Sequence, residues 1–512
     1  MWPFKKKEQP VQEAVRKYYP PKPVDKLILN PSERGMQSIN TKFGYSGFGI
    51  GGAYVGGQIN AVINNSLPLL VADSRYLTTS NPIAKKYVQV SADNVVGANG
   101  IQVRPNVTLS DDDAVNSAIN QQLEKEFYRW CESPERFDVA GELDFSTFQN
   151  LLEKERATSG EAIVRLHVIN DELKIEVIDS MACPINNNLI LDDYRYISNG
   201  IEFDRTKKPI AYFIMQYNPI SYTYNIVERE RVEAKDILHY FIQDFAHQQR
   251  GLPDLVAGTN LLTGLDAFLE AALTTKRIGA SAMGFIENSQ ENQDNDLINK
   301  DVRPLKYENE YLEPGAIVEL KPGQTVKTIN PNAATDGIQS FVDQQMGLIS
   351  MSLNITKQSL TGDTSGASFA ASKLSDKIQG NTFKARSNQL IVKVLKPLYQ
   401  AWLKQALLNG DLEGEHFTFT NYEELSEALY VSQTTVSLDP LKDAQYEVLL
   451  LQNGLKSRDM IIASLGFEPQ TVLAQVEKEL PLTKELSAAI KATDSEYEQG
   501  EDNEDINNNN ES

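Results

Sequence analysis

The sequence predicts an α+β protein, and three changes of pattern along the chain predict it. Apolar residues recur at helical spacing before residue 100, alternate with a period of two between about 160 and 217, and return to helical spacing from about Thr259. With 512 residues and 41% hydrophobic content the chain can bury a sizeable core, and no internal period points to a solenoid or propeller.

Residues 1–45 form an arm whose clustered prolines, Pro20, Pro21 and Pro23, favour extended backbone. Seven glycines follow between Gly44 and Gly57, and helices are expected over about Gln58–Val71 and Ile83–Val90. In GEAIVRLHV, Val164, Leu166 and Val168 share one face and Arg165 and His167 the other, and LKIEV repeats the alternation after Asn170 and Asp171. That is a hairpin. RYISNGIEFD and KPIAYFIMQY, separated by a polar turn at Arg205–Lys208, are expected to extend the same sheet, which closes a first region at 46–258.

Helical spacing at 259–279 is carried by Leu261, Leu262, Leu265, Phe268, Leu269, Ala272 and Leu273. A second helix at 334–353 places Ile338, Phe341, Val342, Met346, Ile349 and Leu353 on one side. Between them, at 280–333, LEPGAIVELKPGQTV sets two Pro-Gly turns around a short strand. The polar stretch TKQSLTGDTSGAS at 354–369 is expected to be a loop hinged at Gly362 and Gly366. A helix from about Ala370 to Leu408, roughly 58 Å long at 1.5 Å per residue, should kink at Pro397. It leads into a weakly patterned link to 439. Residues 440–479, within a unit ending near 490, predict three short helices in a compact cap, with stops at Gly454 and Gly466, an N-cap at Ser457, and Pro469 in a first turn. From 491 the chain is a solvated acidic tail: eight acidic and no basic residues follow Thr493.

The formal charge is −21, and −13 remains without that tail, so a broad basic nucleic-acid face is excluded. The long helix is the exception. It carries Lys373, Lys377, Lys384, Arg386, Lys393, Lys396 and Lys404 against Asp376. Lys373, Lys377 and Lys384, at spacings of four and seven, form a stripe for either an acidic protein surface, the favoured reading, or a phosphate backbone. MWPFKKKEQP leads into no apolar signal segment, and Leu261–Leu273 is too short to span a bilayer, so a soluble protein is expected. Two cysteines, Cys131 and Cys183, fit a reducing compartment.

No catalytic constellation emerges. GFGIGG has dinucleotide-like spacing at Gly47, Gly49 and Gly52, with Asp73 downstream, but no βαβ context surrounds it. No phosphate-binding loop is present, and the four histidines have no metal-ligand spacing. His167 is expected to be a solvated strand residue and His239, in DILHYFI, a satisfied core histidine. The expectation is no enzyme activity, no cofactor and no metal.

Four blocks between Ala92 and about Glu479 resemble the lambda-type family of phage portal proteins. ADNVVGANGIQV is similar to the family's early block, and the next carries Trp130, Asp138, Gly141, Phe145, Phe148, Gly160 and Glu161 in matching positions. The third has His239 and an Arg-Gly-x-Pro turn at Arg250, Gly251 and Pro253; Phe245–Gln248 departs from the family's Arg-Pro-Gly-Gln, so that loop should differ. The fourth, LDPLKDAQYEVLLLQNGLKSRDMIIASLGFEP, matches the terminal helical pair.

The resemblance implies a portal-like fold with wing, stem, clip and crown, assembled as a ring of usually twelve copies around a channel for double-stranded DNA. It implies a virion location at a capsid vertex, with assembly in the host cytoplasm. Expected partners are the terminase large subunit, a head-completion adaptor, and major capsid and scaffolding proteins, without a membrane. Thr361, Gly362, Asp363, Thr364, Ser365 and Gly366 would form a tunnel loop, with Lys373, Lys377 and Lys384 beside the channel. Leu312, Glu313, Pro314, Gly315, Lys321, Pro322 and Gly323 would lie in the clip that docks terminase. Another head–tail or baseplate subunit is the alternative, separated by whether the purified protein forms a closed ring with an axial hole.

Overall fold

The computed structural model describes residues 58–280, 284–288, 324–328, 337–363, 368–432 and 440–464, with 472, 473 and 476. It opens with α1 (Ile59–Ser80) and α2 (Pro82–Val95), which meet at Asn81. The Asn81 side chain accepts the N–H groups of Ile83 and Ala84, and Pro82 sits in the first turn, where its missing N–H costs nothing.

After β1 (Gln102–Pro105) come α3 (Asp113–Cys131), α4 (Pro134–Phe137) and α5 (Phe145–Ser159). Their apolar faces close on an aromatic core. Phe127 stands edge-on to Phe145, Tyr399 and Trp402 at centroid separations of 5.5, 5.4 and 5.2 Å, and the Trp130 indole N–H donates to the Leu173 carbonyl at 2.8 Å.

The hairpin is present as β2 (Glu161–Ile169) and β3 (Glu172–Ile178), joined through Asn170 and Asp171 at φ 52° and 63°, as a two-residue primed turn requires. The single extended sheet is corrected to two sheets. The chain leaves the first through a 3₁₀ turn at Ser180–Ala182, and β4 (Leu189–Ile190), β5 (Tyr196–Ser198), β6 (Ile201–Phe203), β7 (Pro209–Asn218) and β8 (Thr223–Glu233) pair in sequence as a separate antiparallel sheet. The remaining edge of β2 is taken by β9 (Ile237–Phe241), the DILHYFI segment. Between β7 and β8 the register jumps from Met215 opposite Arg229 to Tyr217 opposite Tyr224. Asn225–Glu228 therefore bulge out, with the Asn225 side chain accepting the Val227 N–H.

The two expected long helices are α6 (Thr259–Ala280) and α7 (Ile338–Ser352). Between them β10 (Gly284–Asn288) pairs antiparallel with β11 (Gln324–Thr328), while the strand expected between the two Pro-Gly turns lies outside the described residues. The loop predicted at 354–369 is corrected in part, since Lys357–Thr361 is a short helix, α8. Thr356 caps it by accepting the Ser359 N–H, buried Leu360 anchors it, and Gly362 ends it at φ 73°.

The basic helix runs as α9 (Phe369–Leu390), a π-helical turn at Ile391–Leu395, and α10 (Lys396–Asn409). Pro397 has no N–H and crowds the carbonyl four residues back, and the helix responds by widening just upstream, where the Lys396 N–H reaches the Ile391 carbonyl. Beyond α11 (Tyr422–Leu425), β12 (Ala428–Val431) returns to pair with β1. Ser457 caps α13 (Arg458–Ser464) as expected, and α12 (Pro440–Gln452) has no buried residue. Gly466, Pro469 and the third short helix lie outside the described residues.

Two glycines fix how α5 and β2 meet the segment entering α6. Gly160 has φ 89°, and a Cβ on Gly251 would fall 1.9 Å from the Gly160 carbonyl oxygen. The two backbones touch. Gly251→Ala is expected to lower stability by about 3 kcal/mol in urea denaturation of the isolated subunit. Gly380→Ala, in α9 with open space around it, is expected to raise stability by about 0.5–1 kcal/mol.

Candidate functional site

The best-built polar site lies beneath the root of α6, where Arg250–Asp254 crosses α5 and β2. Arg156 belongs to the same helical stripe as Phe148 and Leu152, so the fold that buries those apolar side chains carries a guanidinium into the core. There Arg156 donates to Glu153 from Nε at 2.9 Å and from Nη2 at 2.7 Å, and to both Asp254 oxygens at 2.9 and 2.8 Å. Glu153 also accepts the Ser91 and Tyr240 hydroxyls at 2.6 and 2.8 Å. Asp254 accepts the Tyr87 hydroxyl at 2.5 Å and pairs with Arg386 of α9 at 3.4 Å.

A second cluster adjoins it. Glu161, fully buried, accepts Arg250 Nε at 2.7 Å, His239 Nε2 at 2.9 Å and the Gly251 N–H at 3.0 Å. Arg250 also donates to the carbonyls of Ser180, Cys183 and Asn199 at 2.8–3.1 Å. With Nη2 also meeting Glu161 at 2.5 Å, all five of its N–H groups are engaged, on β2, the linker after β3 and the β5–β6 turn. Burial alone would raise the Glu161 and Asp254 carboxyls, but Arg250 and His239 hold the first down at about 2, and Arg156 and Arg386 do the same for the second. Burial lowers His239, against the opposing pull of Glu161; its Nε2 lies 2.9 Å from Glu161 and its Nδ1 3.3 Å from the Tyr212 hydroxyl.

These opposite charges are paired with one another, and the cluster fastens α5, β2 and α9 to the segment that enters α6. Among the described residues no group of His, Cys, Asp and Glu is placed to hold a metal ion, and no helix is long and apolar enough to cross a membrane. His239 is the satisfied core histidine expected. His167 is half-buried and pairs with Glu176 at 2.7 Å, closer to its neighbour than a merely solvated strand residue.

Among the described residues, the expected channel residues are exposed and do not gather into a pocket. Thr361 closes α8, and Gly362 and Asp363 follow it at the surface; Thr364, Ser365 and Gly366 lie outside the described residues, as do Leu312, Glu313, Pro314, Gly315, Lys321, Pro322 and Gly323. Lys373, Lys377 and Lys384 share an exposed stripe of α9, and Lys373 forms an ion pair of 2.7 Å with Asp443 of α12. The basic helix is less uniform than its sequence implies. Arg386 turns inward beside Phe383 and Leu390, and Lys393 lies 5.5 Å over the Phe241 ring. Glu153, Arg156, Asp254 and Arg386 were missed as a site, although charged residues in phase with an apolar helix stripe were the signal available for Arg156 and Arg386.

Asp254→Asn leaves two buried guanidiniums without their shared counter-charge, and should cost about 3–5 kcal/mol in urea denaturation. Both depressed carboxyls titrate lower in the folded chain than in the unfolded one, from reference values of 4.5 for Glu161 and 3.8 for Asp254. Their contribution is therefore complete above about pH 4.5 and is lost as the pH falls through about 2. A denaturation midpoint that does not move between pH 5 and pH 2.5 would contradict this.

The profile of the family described as phage portal protein, lambda family, matches residues 54–386. A probable portal protein of Halomonas phage phiHAP-1 is 23% identical over 443 residues, 84% of this chain and 83% of its own. Among solved structures, a chain described as the neck of an empty GTA particle computed with C6 symmetry is 14% identical with a TM-score of 0.44. Another, from the virion of a native gene transfer agent particle, is 13% identical with a TM-score of 0.40. Each alignment covers 78% of this chain and 94% of the other. With its four blocks in order and a profile match over more than half its length, the chain belongs to the lambda family of phage portal proteins.

Proposed function

We propose that the chain is a ring-forming, non-enzymatic subunit at one vertex of a phage capsid, the channel through which double-stranded DNA is packaged and ejected. In this reading 46–258 is the wing, 259–279 and 334–353 the stem, 280–333 the clip and 354–369 the tunnel loop. The stretch 370–439 links wing to crown, and 440–490 is the crown. Twelve copies close the ring. Leu312, Glu313, Pro314, Gly315, Lys321, Pro322 and Gly323 dock the terminase large subunit and later a head-completion adaptor; major capsid and scaffolding proteins are further partners during assembly in the host cytoplasm.

The observation that carries this reading is apolar surface that one subunit cannot cover. Near its root α6 is held by buried Leu262 and Leu265 against Ile349 and Leu353. Farther out, Phe268 meets Phe341 at 4.5 Å, yet Leu269 and Leu273 stay 41% and 51% exposed, and Leu348 and Met351 on α7 are 40% and 67% exposed. Identical neighbours related by rotation would cover such faces and close without leaving a free end. The five-stranded sheet and the paired helices thus serve as a rigid frame, with charges fixed at its centre and apolar surface left for other copies.

Electron microscopy of the purified protein is expected to show closed annular particles with an axial hole wide enough for duplex DNA. Leu273→Glu should abolish them while shifting the unfolding free energy of the isolated subunit by less than about 0.5 kcal/mol, because the side chain is half exposed. A wild-type protein that stays monomeric under assembly conditions would overturn the proposal; rings formed equally well by the variant would remove Leu273 from the interface.

A further inference from the structure

The exposed stripe of α9 has an acidic ligand that this chain itself carries. Lys373, Lys377 and Lys384 lie within about 40° of one another around the helix at 100° per residue, opposite buried Gln379, Phe383 and Arg386. Their span is about 16 Å along the axis. Lys373 is already paired with Asp443 of α12, so a carboxylate from the C-terminal part of the chain meets one end of the stripe. Lys377 and Lys384 are exposed and have no ion pair among the described residues. Beyond Thr493 the sequence holds eight carboxylates and no basic residue. Nineteen residues of chain can extend to roughly 60 Å, several times the length of the stripe.

We propose that residues 494–512 dock on the Lys377–Lys384 stripe, of their own subunit or the next, and occupy the surface that a phosphate backbone would otherwise use. The Asp443 contact with Lys373 is the first of these carboxylate–lysine pairs, and the tail supplies the others. Such pairs at an exposed helix face are weak and screened by salt, which suits a competitor that must give way. The docking stands on charge and placement in one chain; its consequence for DNA rests on the portal reading given above.

The test uses the chain ending at Thr493 and a fluorescein-labelled peptide of residues 494–512. The peptide is expected to bind, to lose at least fivefold in affinity for the Lys377→Gln/Lys384→Gln chain, and to lose roughly tenfold as salt rises from about 50 to 200 mM. Removing the tail should raise affinity for a short DNA duplex about tenfold at low salt, and this gain should vanish in the Lys377→Gln/Lys384→Gln background. Peptide affinity indifferent to the two lysines would overturn the inference. So would an equal gain for DNA in both backgrounds, which marks a general effect of net charge. Rings that form normally alongside either negative result would leave the portal reading intact while this inference falls.

Discussion

The structure depends on opposite charges that are buried together where the chain turns into α6. Arg250 and Asp254 sit four residues apart on one short segment, the first bound to Glu161 and to carbonyls of the linker between the sheets and of the β5–β6 turn, the second to Arg156 and Arg386. An isolated charge in either place would be untenable, since its hydration is gone. Paired, they fix the segment far more specifically than apolar packing could, because each guanidinium has a fixed fork that only one arrangement of acceptors fills. The orientation of α6 follows from that fixation, and so does the relation between α9 and the early helices, since Arg386 enters the same cluster as Tyr87 and Ser91.

This gives the molecule two regions of different character. Around the cluster, α2, α5, β9 and α9 are joined by buried polar and aromatic contacts and form a single core. Outward along α6, α7 and α12 more of the apolar side chains are exposed, Leu273, Met351 and Tyr446 among them. A part that is complete alone holds a part that is not. That division suits a protein whose work is done as an assembly, and it places the chemistry in the arrangement of surfaces rather than in a pocket.

Much of the fold was legible in the sequence because periodicity reports which face is buried. The hairpin and the two long helices at 259–279 and 334–353 followed from spacing, and Pro397 announced the irregularity in the basic helix that appears as a π turn. Sheet membership was not legible, since alternation says that a strand is half-buried and not which neighbour it pairs with. The site was half visible. Gly160-Glu161 and Arg250-Gly251 stood out as separate motifs, but only the fold shows that they are two halves of one joint, with Glu161 on Arg250 and Gly160 against Gly251. Charge counting misjudged Arg386, because a total for a helix does not distinguish a guanidinium turned inward from a lysine turned out.

The displaced residues Asn225–Glu228 in β8 have a consequence for the life of the unassembled chain. β8 is an outer strand, and an outer strand offers unpaired amides and carbonyls to any extended polypeptide that meets it. Here that strand is interrupted midway, and the alternating Arg229, Glu230 and Arg231 line the part that resumes. That edge is therefore a poor template for a strand of a neighbouring copy, which would meet a break in the ladder and a row of alternating charges.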